Sequence, residues 1–251
     1  MYTFDSPFVV LAVTLLAQWL AAYAGDVLRK KMRPLREEER ADFDLVRTAA
    51  LTLLGLIIGF SFAMAVARYD QRKNYEEAEA NAIGTEYVRA DFLPPEGAAR
   101  VRELLRRYVD QRVAFYLSRD EGHIGQINAD TEKLQAELWS AIVRAVPPQQ
   151  TAVAALVVSG MNDVLNSQGY TQAAWWNRIP VAAWGLMGLI AVSCNLLFGY
   201  GERRTSALAL FLPLIISISF FLIADIDSPR AGVIRVAPQN LIALSQTMKP
   251  H

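Results

Sequence analysis

The sequence predicts an all-α integral membrane protein with four transmembrane helices, two before and two after a central polar helical insert. Three observations predict it. Four uncharged apolar runs have the length of about 20 residues that a bilayer core requires of a helix. The charged residues lie between those runs, so a net charge of zero over 251 residues describes neither kind of region. The stretch between the second and third runs is polar and repeats its apolar residues with helical periodicity.

The first run covers 7–24 (PFVVLAVTLLAQWLAAYA), with Gln18 as its only strongly polar residue. Ala22-Tyr23-Ala24 has the form of a signal-peptidase site. However, no Lys or Arg precedes the run and Asp5 does, so an uncleaved span is expected. The second run covers 48–67, the third 179–200 and the fourth 205–224. Lipid offers backbone amides no partner, so each run must pair its own, as a helix does. Barrel strands would alternate in polarity, and these runs do not. Trp175, Trp176 and Tyr200 flank the third run as interfacial aromatics would, and Pro180 fits its first turn. Pro213 should kink the fourth run, with Ser217 or Ser219 available to the freed carbonyl.

The expected domain organisation is therefore 1–67 (two spans and a basic loop), 68–178 (polar insert), 179–224 (two spans) and 225–251 (C-terminal tail). The first connecting loop carries Arg29, Lys30, Lys31, Arg33, Arg36, Arg40 and Arg47, and the second carries Arg203 and Arg204. The positive-inside rule places both loops in the cytoplasm, and both termini and the insert outside. Arg68, Arg72 and Lys73 pull the other way.

In the insert, the second span is expected to run on without a break to Asp91, before Pro94-Pro95. A helix over 96–117 follows, with Val101, Leu104, Leu105, Tyr108, Val109, Arg112 and Tyr116 as its stripe. Residues 118–130 read as a loop, with Asp130 capping a third helix whose stripe is Leu134, Leu138, Ile142 and Val146. A fourth helix starts after Pro147-Pro148 and runs through Val157 and Val164. Together they read as an antiparallel bundle. Arg100, Arg102, Arg106, Arg107 and Arg112 make its second helix basic, as either an anion-attracting vestibule or a solvated face paired with Glu103 and Asp110.

The second span carries the most informative pattern. Gly55, Gly59 and Ala63 share one face, where small residues admit a neighbouring helix. Leu56, Phe60 and Met64 share another. Repeated around an oligomer axis, they would form an apolar constriction; in a lone helix, they would face lipid or core. Asp225 and Asp227 end the fourth span, followed by Arg230 and Arg235. They mark either an ion path, together with Arg68, Asp70 and Arg72, or a helix stop held by local pairing.

The stretch 53–85 (LLGLIIGFSFAMAVARYDQRKNYEEAEANAIGT) and the segment 225–238 (DIDSPRAGVIRVAP) resemble the bestrophin-like domain family of bacterial membrane proteins. The two-plus-two layout extends that resemblance over most of the chain. The run Arg68-Tyr69-Asp70-Gln71-Arg72-Lys73 is also similar to the exit of the second helix in bestrophins proper. Bestrophins are pentameric anion channels whose second helix lines the pore neck with apolar side chains. The resemblance implies a multi-pass protein of the bacterial inner membrane, a homo-oligomer in lipid passing small anions. Leu56, Phe60 and Met64 are the implied neck residues, with Ile57 and Ser61 as rotational alternatives. Bestrophins keep their termini and central domain in the cytosol, the reverse of the placement the charges imply here. No acidic calcium clasp like that of the animal proteins is evident.

The remaining classes lack their residues. Cys194 is the single cysteine, and His123 and His251 lie far apart, so no metal site is expected. There is no G-x-S-x-G, P-loop, H-E-x-x-H or C-x-x-C, so neither an enzyme nor a cofactor is expected. Nor is nucleic-acid binding, since the insert is not basic overall and holds no recognised motif. A non-conducting membrane scaffold or sensor, its insert bound to a protein partner, is the alternative to a channel.

Overall fold

The computed structural model describes residues 6–32, 35–146, 151–201 and 208–249. Eight α-helices and one 3-10 turn account for nearly all of them, with no strand among the described residues. In order they are α1 (Pro7–Lys31), α2 (Glu37–Arg89), the 3-10 turn (Ala90–Phe92), α3 (Pro95–Leu117), α4 (Glu121–Ala145), α5 (Ala152–Trp176), α6 (Val181–Gly201), α7 (Leu208–Asp227) and α8 (Gln239–Thr247). Arg33, Pro147, Pro148, Arg203, Arg204 and the start of the expected fourth span at 205–207 lie outside the described residues. Three of the described helical stretches are long and apolar enough to cross a membrane: Pro7–Lys31, Glu37–Phe92 and Ala152–Gly201.

The chain divides into two units. The first comprises Met1–Tyr69 and Arg178–Arg235, and the second Asp70–Asn177 and Val236–His251. Helix α2 contributes to both. Residues 225–251, read from sequence as one tail, are shared between them: 225–235 belong to the first unit and the rest to the second.

In the first unit, α1 packs along α6 and α7. Val10, Leu54, Met187, Ala191, Phe220 and Ile223 belong to its buried core. Backbone closeness sets the α1–α6 contact. A Cβ on Gly199 would sit 1.9 Å from the Ala22 carbonyl oxygen, and one on Gly25 would sit 2.2 Å from that of Leu196. Only glycine at both positions lets these helices meet backbone to backbone. Polar side chains inside this unit bond to one another. Gln18 Nε2 donates to Ser217 Oγ (3.1 Å), and Asn195 Nδ2 donates to Gln18 Oε1 (3.0 Å) and to the Ala191 carbonyl (2.9 Å). Ser217 Oγ is thus engaged as the acceptor of Gln18. Ser219 donates to Ile215 O. Pro180 stands just before α6, where its carbonyl accepts from Ala183 and Trp184.

In the second unit, α3 packs on α4 and α8, and α4 packs on α5. The predicted α3 stripe is buried throughout, and Phe115 joins it. Each fully buried leucine such as Leu104 contributes roughly 1.5–3 kcal/mol relative to exposure. Two expectations are corrected here. The loop is only 118–120, because Asp120, not Asp130, caps α4: its side chain accepts from the Gly122 amide at 3.0 Å. Ile127 and Thr131 extend the buried face of α4 backwards past Asp130. That burial and the earlier cap outweigh the roughly 1 kcal/mol that each of Gly122 and Gly125 costs inside a helix. Trp175 is not interfacial either: it is buried against Phe115 and Tyr116, with ring centroids 5.0 and 5.4 Å away. Trp176, its neighbour, is exposed.

Candidate functional site: the outer face of α2 and the end of α7

No Pro interrupts the sequence of α2 and its apolar middle needs no external partners, so it runs unbroken for 53 residues. Around residues 54–65 it presents two unlike sides. Leu54, Ser61 and Ala65 fall on one line of the helix and are buried in the first unit. The residues facing away form two parallel rows about 100° apart, each rising about 6 Å per step. One row is Gly55, Gly59 and Ala63. The other is Leu56, Phe60 and Met64, which are 54%, 62% and 42% exposed. The direction straight away from the core falls between the rows. Nothing lies within 4 Å of a Cβ built on Gly55 or Gly59. Of the two rotational alternatives, Ile57 is half-buried against the core and Ser61 is 3% exposed.

This arrangement leaves a flat strip, open to a helix backbone, beside a ridge of bulky apolar side chains. Neither row offers a hydrogen-bonding side chain, so the face suits packing and water exclusion rather than bond chemistry.

The charged residues picked out at the end of the fourth span are engaged locally. Asp225 is buried and accepts the Val233 amide at 2.7 Å with one oxygen and the Ile234 amide at 2.8 Å with the other. The loop can close this tightly only because residue 232 is glycine: a Cβ there would lie 2.3 Å from the Asp225 carbonyl oxygen. Asp227 accepts the Ile179 amide at 3.0 and 3.3 Å, and Arg68 lies 3.6 Å from it. Arg230 is half-buried and engaged. In the second unit, Asp70 is exposed whereas Arg72 is buried and engaged.

Sequence reasoning missed a buried polar centre in the second unit. Arg112 of α3 forms an ion pair with Glu79 of α2, both side chains being fully buried. Thr171 Oγ1 donates to Glu79 Oε2 at 3.0 Å, and Tyr116 Oη approaches the same oxygen at 3.4 Å. Burial opposes the Arg112 charge, but the Glu79 carboxylate outweighs it and holds the guanidinium above its ordinary value. Burial, then Glu79, pushes the Tyr116 hydroxyl up, and burial pushes Tyr108 up to about 12. Nearby, Glu76 accepts the Leu241 amide (2.9 Å) and Asn240 Nδ2 (2.7 Å), fastening the start of α8. The only sequence signal was Arg112 standing in an apolar stripe. Three of the other α3 cations are paired nearer the surface, Arg100 with Glu103, Arg102 with Asp91, and Arg107 with Glu137, and Arg106 donates to Tyr87 Oη. No cluster of metal-ligating side chains occurs among the described residues.

Comparison with known proteins places this architecture. Among solved structures, a bacterial bestrophin homologue from Klebsiella pneumoniae is 16% identical, with 96% of this chain and 95% of that chain covered and a TM-score of 0.64. A tryptophan-to-alanine variant of the Klebsiella pneumoniae homologue gives 13% identity, 95% and 93% coverage and a TM-score of 0.68. A structure described as a membrane protein, a glycine-to-alanine variant, gives 14%, 95%, 95% and 0.64. At such identities the likeness establishes the fold. No curated protein sequence matches. The family model described as Bestrophin-like domain matches residues 32–241, so this membrane protein, with its two-faced second helix and its all-helical fold, belongs to the bestrophin-like family.

Proposed function

We propose that the chain is one subunit of a homo-oligomeric pore that passes small anions. The observation that carries this is the outer face of α2, where an exposed apolar ridge and a small-residue strip lie side by side, the strip uncovered by the described residues at Gly55 and Gly59. A second copy seated on Gly55, Gly59 and Ala63 would turn each subunit's Leu56, Phe60 and Met64 toward a common axis. A ring of such side chains makes a constriction that can gate by dewetting. The burial of Ser61 and the core packing of Ile57 favour that row over its rotational alternatives. Family membership supports the anion reading.

In this reading α7 is the fourth span, and the arginine-rich connections are cytoplasmic, with termini and insert outside. Asp225, Asp227 and Arg68 serve as structural fasteners of the span ends rather than as ion-path charges, because main-chain amides occupy the carboxylates.

Purified protein in planar bilayers tests the function. The expected result is an anion-selective conductance that rises or loses its closures in Phe60→Ala. Absence of conductance, together with an oligomer whose centre is sealed by packed side chains and a co-purifying protein partner, would establish the scaffold or sensor instead. Labelling of a cysteine engineered into the insert by an impermeant reagent in intact cells checks the orientation. Protection there would reverse it.

A further inference from the structure

Glu86, on the polar extension of α2 in the second unit, is a buried acid that none of the roles above uses. Its side chain is fully buried, and neither carboxyl oxygen has a hydrogen-bond partner among the described residues. It lies under α5 at Gly160. A Cβ on residue 160 would sit 2.0 Å from Glu86 Oε2 and 2.4 Å from Arg89 Nη1, so the α5 backbone rests directly on the carboxyl group. The charged groups facing it are Arg89, one turn further along α2, and Asp163, one turn along α5 from Gly160. Two polar groups near Glu86 in sequence are engaged with α3. Asp91 of the 3-10 turn pairs with Arg102 of α3, and Tyr87 accepts from Arg106. A carboxylate with no donor in a buried site is far costlier than a neutral carboxylic acid.

We propose that the α2–α5 contact at Glu86 and Gly160 is a proton-operated latch within the bundle, closed while the Glu86 carboxyl is neutral and released when it ionises. The proton passes to solvent. The carboxylate then draws in water or the Arg89 guanidinium, which lies against the same α5 backbone, and the contact with α5 loosens as it does so. Burial, the leading cause, and Asp163 push the Glu86 carboxyl up to about 8, against the pull of Arg89. The sign follows from linkage. Below the ordinary glutamate range, folded and unfolded chains both hold the proton, and the contribution to stability is full. As pH rises above that range, the unfolded chain has released the proton that the folded one keeps. The contribution falls and is gone above about pH 8.

Hydrogen exchange on the full-length protein in detergent, corrected for intrinsic rates, tests the latch at about pH 6.5 and about pH 9.5. In the wild type, amides of α5 around Gly160 should lose protection by about tenfold or more at the higher pH, while those of α3 at 101–109 do not. Glu86→Gln, an uncharged isostere of the acid, should keep α5 protected at both. Asp163→Asn should move the transition to lower pH without abolishing it. Unchanged α5 protection in the wild type, or the same loss in Glu86→Gln, would overturn the proposal. So would loss of the transition in Asp163→Asn, which would make Asp163 the titrating group. Unchanged α5 protection in the wild type overturns the proposal even if a variant fails to fold, and either variant that folds assigns the titrating group.

Discussion

The helix contacts of the two units bury polar groups in opposite ways, the first unit's buried acids, Asp225 and Asp227, lying at the end of α7 on main-chain amides. The first joins α1, α6 and α7 through neutral side chains, Gln18, Asn195 and Ser217, which mostly satisfy one another. The second places a full ion pair, Glu79 with Arg112, in its centre and surrounds it with hydroxyls. The difference matches their composition. Spans bounded by lipid carry few charges, because stripping an ion of water there costs more than helix contacts return. A bundle with a solvated surface can hold a buried pair, provided both members are present and hydrogen-bonded.

Removing one partner of the ion pair should break this contrast most sharply. Arg112→Met leaves Glu79 charged and buried, and should destabilise the second unit by about 3–5 kcal/mol. Denaturant unfolding followed by tryptophan fluorescence measures it, since Trp175 packs beside Tyr116. Adding Glu79→Leu should restore part of the loss, because it removes the orphaned charge. A double variant no better than Arg112→Met would mean packing, not charge, was lost.

Gln18→Leu should cost only about 1 kcal/mol, since Asn195 keeps its bond to the Ala191 carbonyl and interhelical hydrogen bonds in lipid are individually weak. Unfolding in mixed micelles reads this out. A loss as large as that of Arg112→Met would erase the distinction between the units. Smallest of all, Phe60→Ala should change subunit stability by less than about 0.5 kcal/mol, because its side chain touches little of its own chain. Its effect should appear in conductance instead. A large drop in melting temperature of the monomeric subunit would place Phe60 in the fold rather than on a pore.

Much of this architecture was legible in the chain. The α3 stripe was readable down to Arg112, because seven buried positions at helical spacing leave few other faces. The unbroken α2 followed from the absence of proline. The loop after α3 was overdrawn, since two glycines and a polar run outweighed Ile127 and Thr131, whose burial depends on α3 lying opposite. Trp175 was assigned to the interface by its place before an apolar run; the Phe115–Tyr116 pocket that takes it comes from a helix about sixty residues earlier. Gln18 stood out as the polar residue of its span, but its partners lie far along the chain at 195 and 217.

By itself, the sequence determined which segments are helices, which are apolar enough for a bilayer and which rows of α2 are small or bulky. These are local properties, set by composition and by a period of 3.6 residues. Tertiary structure alone decided that both of those rows face away from the core, which acids are taken up by main-chain amides, and which glutamate lies buried without a donor. Each depends on what another segment places within a few ångströms, and hydrogen bonds and burial are settled at that range, whatever the distance along the chain.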